Sequence, residues 1–416
     1  MNRLVREAGP TILPRLAGDA IERQLGVHPV VVLMGARQVG KSTLVRSLSA
    51  LGEHRYVTLD ALDIRELAIR SPLDLLTLSP RMTIDEVQHE PEMILAIKHE
   101  VDSTPERQPG RFVLTGSANL LLMQRVSESL AGRAGYVTLW PMTRAERLGQ
   151  GRAGIWGDLL DTAFPEWSDL IRDNQREPAS WREEALRGGY PIPALDLESE
   201  EDRAEWFSGY ARTYLERDLQ DLASIDNLVD FQRVMRAASL RIGNLVNQSE
   251  VARDVGVSQS SVHRWLNLLE TSFQLVRIEP YAVNRTSRLV KSPKLYWSDT
   301  GLALSMAVSG PTGAHLENLV LGDLVAWRDV RRDRPAILFW RTRTGREVDF
   351  VLEARTGLVA IEIKTASRVG PGDAANLRAF RDEYRDLFLG ALLLHDGDTV
   401  ESMGEGIVAA PWWKVL

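Results

Sequence analysis

Gly35-Ala-Arg-Gln-Val-Gly-Lys-Ser42 matches the spacing G-x-x-x-x-G-K-[ST], the pattern of a loop that cradles phosphates. It follows Pro29–Met34, an apolar, β-branched run that reads as a buried strand, and precedes Leu44, Val45 and Leu48 at helical spacing. Gly35 and Gly40 let the backbone curl so that its N–H groups face the β-phosphate, and the helix N-terminus adds a favourable dipole. Lys41 is placed to reach the β- and γ-phosphates, and the Ser42 hydroxyl to ligate Mg²⁺. Arg37, Gln38, Val39 and Thr43 complete the expected ATP-binding set.

Such a loop needs acids from a second strand. Arg81-Met-Thr-Ile-Asp85-Glu86 ends in two of them. Asp85 is expected to hold a metal-bound water and Glu86 to polarise the attacking water, which suits hydrolysis better than binding alone. A third strand, Arg111–Thr115, leads into Gly116-Ser-Ala-Asn119, where Thr115 and Ser117 are candidates to sense the γ-phosphate. Arg133, in Ser129-Leu-Ala-Gly-Arg133, has two readings. It is an arginine finger acting on a neighbour's nucleotide in a homo-oligomer, or a surface salt-bridge arginine.

A second set of chemically capable residues lies near the C-terminus. In Leu358–Lys364, alternation puts Ala360, Glu362 and Lys364 on one strand face and Val359, Ile361 and Ile363 on the other. Asp349, in Glu347–Leu352, lies one hairpin earlier, and Glu317 can join from an amphipathic helix, His315–Trp327. Asp349 and Glu362 are candidate Mg²⁺ ligands for a water that attacks a phosphate, with Lys364 orienting that water. The alternative is a strand with a charged face and no chemistry.

Between the two sets, Ser249-Glu-Val-Ala252, Gly256 and Val262 have helix-turn-helix spacing. Ser258 is a natural N-cap for the second helix. That helix turns Gln259, Ser260, Ser261, His263 and Arg264 outward, all able to touch DNA. Phe273–Ile278 and the basic stretch Arg285–Lys294 read as strands of a wing. A winged helix used only for protein packing is the alternative. Charge favours DNA: the chain carries a formal −7, yet Phe231–Trp297 holds ten Lys+Arg against four Asp+Glu.

These parts need elements to hold them. The 416 residues, 44% hydrophobic and 26% charged, suit a multidomain globular chain. The absence of cysteine excludes disulfides, thiolate metal sites and cysteine nucleophiles. No apolar run approaches the ~20 residues of a membrane helix, and Met1–Gly18 lacks a leader's apolar stretch, so a cytoplasmic protein is expected. The expected order is an α/β P-loop ATPase domain with a parallel sheet (residues 1–150), a helical linker (151–229), a winged helix (230–300) and a small α/β nuclease-like domain (301–416). Gly188–Pro193 is expected to be a loop, and Trp206–Leu222 a helix with Glu216-Arg-Asp218 on its solvated face.

Gly35–Thr43, Ile84–Gln88, Leu114–Ser117 and Ser129–Arg133 resemble the AAA+-type bacterial and archaeal ATPases. Tyr214-Leu-Glu-Arg-Asp218 resembles the start of a domain that many of them carry C-terminally. Gly345-Arg-Glu-Val-Asp-Phe350 with Ile361-Glu-Ile-Lys364 resembles that domain's end, which belongs to the PD-(D/E)XK nuclease-like superfamily. Val348 stands where the proline of that name falls. The resemblance covers nearly the whole chain and implies its architecture more than its purpose. The leading expectation is a Mg²⁺-dependent ATPase acting on DNA, with hydrolysis driving or gating a winged-helix and nuclease-like arm that processes, translocates or cleaves it. The alternative is an ATP-dependent switch or partner-binding protein of a stress or defence system, its nuclease-like domain non-catalytic.

Overall fold

Five strands line up in parallel with the phosphate-loop strand between its neighbours, and this arrangement sets the ligand edge. They are β1 (Val30–Met34), β2 (Arg55–Thr58), β3 (Met82–Asp85), β4 (Phe112–Thr115) and β5 (Ala134–Thr138), in the order β2-β3-β4-β1-β5. Every pairing is parallel. Parallel strands need crossovers that cover both faces, which is why β3 and β4 are buried at every residue. The N-terminal helix α1 (Ala17–Leu25) packs on β1 and β5, while α2 (Lys41–Ser47) springs from the end of β1. Gly35, Asp85 and Thr115 therefore gather at the C-terminal strand edge, where α/β sheets bind ligands. The computed structural model describes residues 12–103, 108–116, 129–213, 227–283 and 292–416. Ser117 and the Tyr214–Asp218 motif lie outside them.

The region after the first sheet is built from short helices at Trp156–Asp161, Trp167–Asp173 and Trp181–Arg187. Trp156, Trp167 and Trp181 are each 1% exposed, so one indole per helix does the core-filling that a longer apolar stripe would otherwise do. The expected loop at Gly188–Pro193 runs instead into a π-helical turn over Ile192–Asp196. The helix α3 (Glu200–Thr213) follows, and the remainder of the expected Trp206–Leu222 helix lies outside the described residues.

The helix-turn-helix forms from α4 (Leu228–Ser239), α5 (Gln248–Val255) and α6 (Gln259–Thr271). Gly256 makes the turn with φ +80°, and the Ser258 hydroxyl accepts the Ser261 N–H at 3.1 Å, capping α6. The strand expected from Phe273 starts at Leu275, because Phe273 adopts φ +59°. The second wing strand runs over Lys294–Trp297, later than expected, while residues 284–291 lie outside the described set.

The wing does not end at residue 300 as a separate unit. β6 (Leu275–Pro280) pairs antiparallel with β7 (Lys294–Trp297) and parallel with β8 (Ala336–Arg341). One eight-stranded sheet results, ordered β12-β13-β11-β10-β9-β8-β6-β7, adding β9 (Glu347–Ala354), β10 (Gly357–Ile363), β11 (Phe388–His395), β12 (Glu401–Ser402) and β13 (Ile407–Pro411). β10 is buried at all its residues, so its alternation separates two cores rather than core from solvent.

The long helix α7 (Gly313–Val330) ties both sheets together, packing against β5 on one side and β7 and β8 on the other. Asp323 anchors it: one carboxylate oxygen accepts both the Gly154 N–H and the Trp156 indole N–H at 2.6 Å. Burial pushes the Asp323 carboxyl up to about 6. Asp323→Ala leaves two buried donors unmet and is expected to cost about 2 kcal/mol. The midpoint of denaturant unfolding, at unchanged slope, reads that loss.

Candidate active site and nucleic-acid interface

The phosphate loop takes a shape that only its own sequence tolerates. Gly35 has φ +150°, and a Cβ there would stand 2.3 Å from the Leu139 carbonyl oxygen. Gly40 (φ +96°) turns the chain into α2, and Gln38 also takes positive φ at +60°. Val39 is buried, Arg37 and Ser42 are half-buried, and Gln38 and Thr43 are exposed. Lys41 is 5% exposed, and its ammonium donates to the Gly35 and Ala36 carbonyls at 3.2 and 2.8 Å. Burial pulls its pKa down to about 8, partly offset by the carboxylates of Glu86 and Asp85.

Two anchors of this loop escaped the sequence reading. Arg15, far upstream, donates to the Val39 carbonyl at 2.9 Å and the Trp140 carbonyl at 2.7 Å, with its Nε 3.1 Å from Glu146. Tyr210 of α3 reaches the Arg37 carbonyl at 3.4 Å. The same Tyr210 hydroxyl is 3.1 Å from that of Tyr190 and accepts from the Gln274 amide at 3.3 Å. Gln274 directly precedes β6, and its carbonyl accepts the Ser298 N–H at 2.9 Å. A chain of buried polar contacts thus runs from the phosphate loop to the root of the wing.

Asp85 is 3% exposed and accepts hydrogen bonds from the hydroxyls of Thr115 and Tyr56. Tyr56, which the sequence reading missed, receives a 2.8 Å bond from Arg46, and burial together with Asp85 pushes its hydroxyl up to about 12. Thr115 is fully buried with its hydroxyl on Asp85, and the Glu86 N–H approaches that hydroxyl at 3.4 Å. The Thr115 hydroxyl is thus engaged with Asp85 at the strand edge. Glu86 adopts φ +58°, a strained conformation for a glutamate, and its carboxylate accepts from Gln88. Arg133 grips Asp102 through two bonds, at 2.5 and 3.0 Å, the geometry of the salt-bridge reading.

The C-terminal acids come together. The β9–β10 ladder ends at Ile361↔Phe350, and just beyond it the Ile363 N–H donates to the Asp349 carboxylate at 2.8 Å. Glu362, 3% exposed, takes a 2.7 Å bond from Lys364. Glu317 of α7 accepts the Tyr296 hydroxyl at 3.0 Å. Burial and the charge of Asp349 raise Glu317 to about 8 and Glu362 to about 7, and burial raises Asp349 itself.

The sequence reading missed a cation in their midst. Lys294, the first residue of β7 and only 2% exposed, pairs with Glu347 and stands 3.7 Å from Asp349. Glu347 also meets Arg341 at 3.2 Å. Alternation in Lys294-Leu-Tyr296 puts Lys294 and Tyr296 on one strand face, a signal that was present in the sequence. No group of three or more acidic or histidine side chains among the described residues has the geometry to hold a metal ion.

On the helix-turn-helix, Ser258, Gln259, His263 and Arg264 are exposed and Ser261 is half-buried, so the outward face is the expected one. His263 shares a 3.0 Å bond with Asn267 one turn on. No helix among the described residues is long and apolar enough to cross a membrane.

Three family descriptions match the chain. An AAA domain covers residues 27–148, and two domains of unknown function, DUF8612 and DUF4143, cover residues 178–312 and 312–415. The uncharacterized protein Rv2008c of Mycobacterium tuberculosis is 30% identical over 413 residues, 97% of this chain and 84% of its own. An uncharacterized protein of Haemophilus influenzae is 21% identical, covering 67% of this chain and 64% of its own. Among solved structures, the Walker-type ATPase PABY2304 of Pyrococcus abyssi aligns with TM-score 0.45 and 18% identity, over 70% of this chain and 94% of that one. The chain belongs to the same family as the mycobacterial protein, and is a P-loop ATPase of the AAA type whose AAA domain is followed by two domains of unknown function.

Proposed function

We propose that this ATPase acts on DNA, and that its nucleotide state is passed to a winged-helix arm. The supporting observation is the contact chain from the Arg37 carbonyl through Tyr210 to Gln274 at the wing root. A change in loop shape on nucleotide binding or hydrolysis would move the Tyr210 hydroxyl and so bias the wing. The basic balance of Phe231–Trp297 and the polar outward face of α6 support nucleic acid as the arm's partner. Ser42 and Asp85 would hold a Mg²⁺ ion. A carboxylate buried at the strand edge beside the first turn of α2 is a donor set that fits one. When bound, the ion neutralises charge between the β- and γ-phosphates. Glu86 polarises the attacking water, and Lys41 holds the phosphates. If Arg133 serves a neighbouring copy's nucleotide, it must first leave Asp102.

The test is ATPase rate with and without duplex DNA at low salt. Stimulation by DNA is expected, with Tyr210→Phe lowering the stimulated rate by a larger factor than the basal rate. Gln259→Ala combined with Arg264→Ala is expected to weaken DNA binding about tenfold or more at unchanged ATP affinity. Absence of DNA binding at low salt sinks the proposal.

A second reading keeps the ATPase as a switch whose C-terminal domain binds a partner and cuts nothing. The specific observation in its favour is Lys294 among the C-terminal acids. It predicts no DNA cleavage with Mg²⁺ or Mn²⁺, and an ATPase rate unaffected by Asp349→Ala.

A further inference from the structure

The acids Glu317, Asp349 and Glu362 have the composition of a divalent-metal site, but their surroundings do not fit one. Each acid has a partner on one oxygen, Tyr296 on Glu317, the Ile363 N–H on Asp349 and Lys364 on Glu362, and the second oxygen of Glu362 is buried without one, so what opposes a metal is not the acids but a neighbouring cation. The space between Asp349 and Glu347 holds the ammonium of Lys294. A Mg²⁺ or Mn²⁺ ion drawn to Asp349 would face a fixed positive charge about 4 Å from its ligand, a repulsion that low-dielectric surroundings strengthen.

Lys294 is not a stray surface lysine turned inward. Its side chain passes over the Phe339 ring, 5.6 Å from the centroid. Its backbone is locked in place by the chain entering the helix-turn-helix: Leu245 bridges Lys294, the Val246 N–H donates to the Pro293 carbonyl at 2.9 Å, and the Leu295 N–H donates to the Asn244 carbonyl at 3.1 Å. The same segment holds Gly243, where a Cβ would stand 3.1 Å from the Glu317 carboxylate. One short ladder therefore sets both the cation and the acid it faces. The ladder belongs to the winged helix, whereas the acids belong to α7, β9 and β10.

We propose that Lys294 is a built-in cation that takes the place of a divalent metal ion in this carboxylate cluster and closes it to metal as long as the wing ladder holds β7 in its present register. The inference rests on the nuclease-like reading of the cluster and adds the reason such a site would stay silent. The four charges Lys294, Glu347, Asp349 and Arg341 are satisfied within the protein, so a metal ion must displace Lys294 rather than fill an open position. Removing Lys294 leaves Asp349 without this counter-charge while Glu347 keeps Arg341, and a divalent ion is the species best suited to replace it.

The experiment measures Mn²⁺ binding by electron paramagnetic resonance and by thermal shift, without nucleotide. The background is Asp85→Asn, so that the phosphate-loop site contributes nothing. With Lys294 present, no saturable binding that depends on Asp349 is expected below millimolar Mn²⁺. Lys294→Met is expected to tighten Mn²⁺ binding by at least about tenfold. Mn²⁺ should then raise its melting temperature, and Asp349→Asn added to it should abolish both effects. Lys294→Gln serves if the methionine variant does not fold. The parent protein alone already decides the matter: Asp349-dependent Mn²⁺ binding at micromolar concentration with Lys294 in place overturns the closure while leaving a metal site standing. If the lysine variants fold and no Mn²⁺ binds to any of them, both the closure and the metal-site reading fall.

Discussion

Glu86→Gln is expected to bind ATP with wild-type affinity and to hydrolyse it about 100- to 1000-fold more slowly. The substitution keeps the size of the side chain and the backbone at φ +58°, so the strained turn after β3 should survive. What it removes is the negative charge that draws a proton from water. Asp85 keeps its two hydroxyl partners and is untouched. Gln88 donates to Glu86, and this donor fixes the direction of the carboxylate across the turn. A glutamate held in a sparsely populated conformation at a ligand edge is strain that a purely structural acid has no reason to store. Single-turnover hydrolysis and titration with a fluorescent ATP analogue separate the two effects. Turnover at the wild-type rate would falsify the assignment of Glu86 as the water-polarising group. Slow turnover accompanied by equally weakened binding would place Glu86 in nucleotide binding instead.

The residues that sequence reading located and the ones it missed differ in how far apart the interacting positions lie along the chain. The phosphate loop is a local device, with strand, glycines, lysine and helix falling within Val30–Ser47, so spacing alone reveals it. Asp85 and Glu86 are legible because they end a short apolar strand. Arg15 is not, since its partners Val39, Trp140 and Glu146 are set by folding and nothing near Arg15 marks them. Tyr56 and Tyr210 are missed for the same reason: each reads as a strand or helix core residue until its hydroxyl is seen on Asp85 or the Arg37 carbonyl.

At the C-terminus, alternation brought Glu362 and Lys364 to one face, and the hairpin brought Asp349 beside them. Lys294 came from a strand that pairing, not spacing, carried into the site. The parallel contact of Glu279 with Leu338 joins β6 to β8 and fuses the wing to the second sheet. A parallel pairing between distant segments leaves no short-range signature, so a boundary at residue 300 was the natural expectation. The same fusion puts the wing strands and a carboxylate cluster on one continuous sheet, which makes coupling between them physically direct.

Lys41→Ala is expected to weaken ATP binding by about 100-fold or more, because two or more charge-assisted bonds to phosphate disappear. The pH dependence of the parent protein gives the sharper test. Burial holds Lys41 at about 8 in the folded chain, below the ordinary lysine value of 10.5. Phosphate needs the ammonium form. Above pH 8 nucleotide binding must therefore take up a proton, and affinity should fall by about tenfold per pH unit until the group is fully neutral in the complex as well. Folding stability runs the other way. Between about pH 8 and 10.5 the unfolded chain binds more protons at this position than the folded one, so this lysine's contribution to stability rises with pH across that window. Below pH 8 the folded protein bears the cost of a buried, desolvated ammonium, only partly met by Glu86 and Asp85. Lys41→Ala removes that cost, so the nucleotide-free variant should be more stable than the parent at pH 7 even though it no longer binds ATP. Calorimetric titration in buffers of different ionisation enthalpy measures the proton uptake, and denaturant unfolding at pH 7 and 9 measures the stability. A phosphate-binding lysine must show opposed slopes for affinity and stability that vanish together in the alanine variant. A lysine merely packed against the Gly35 and Ala36 carbonyls would change stability alone.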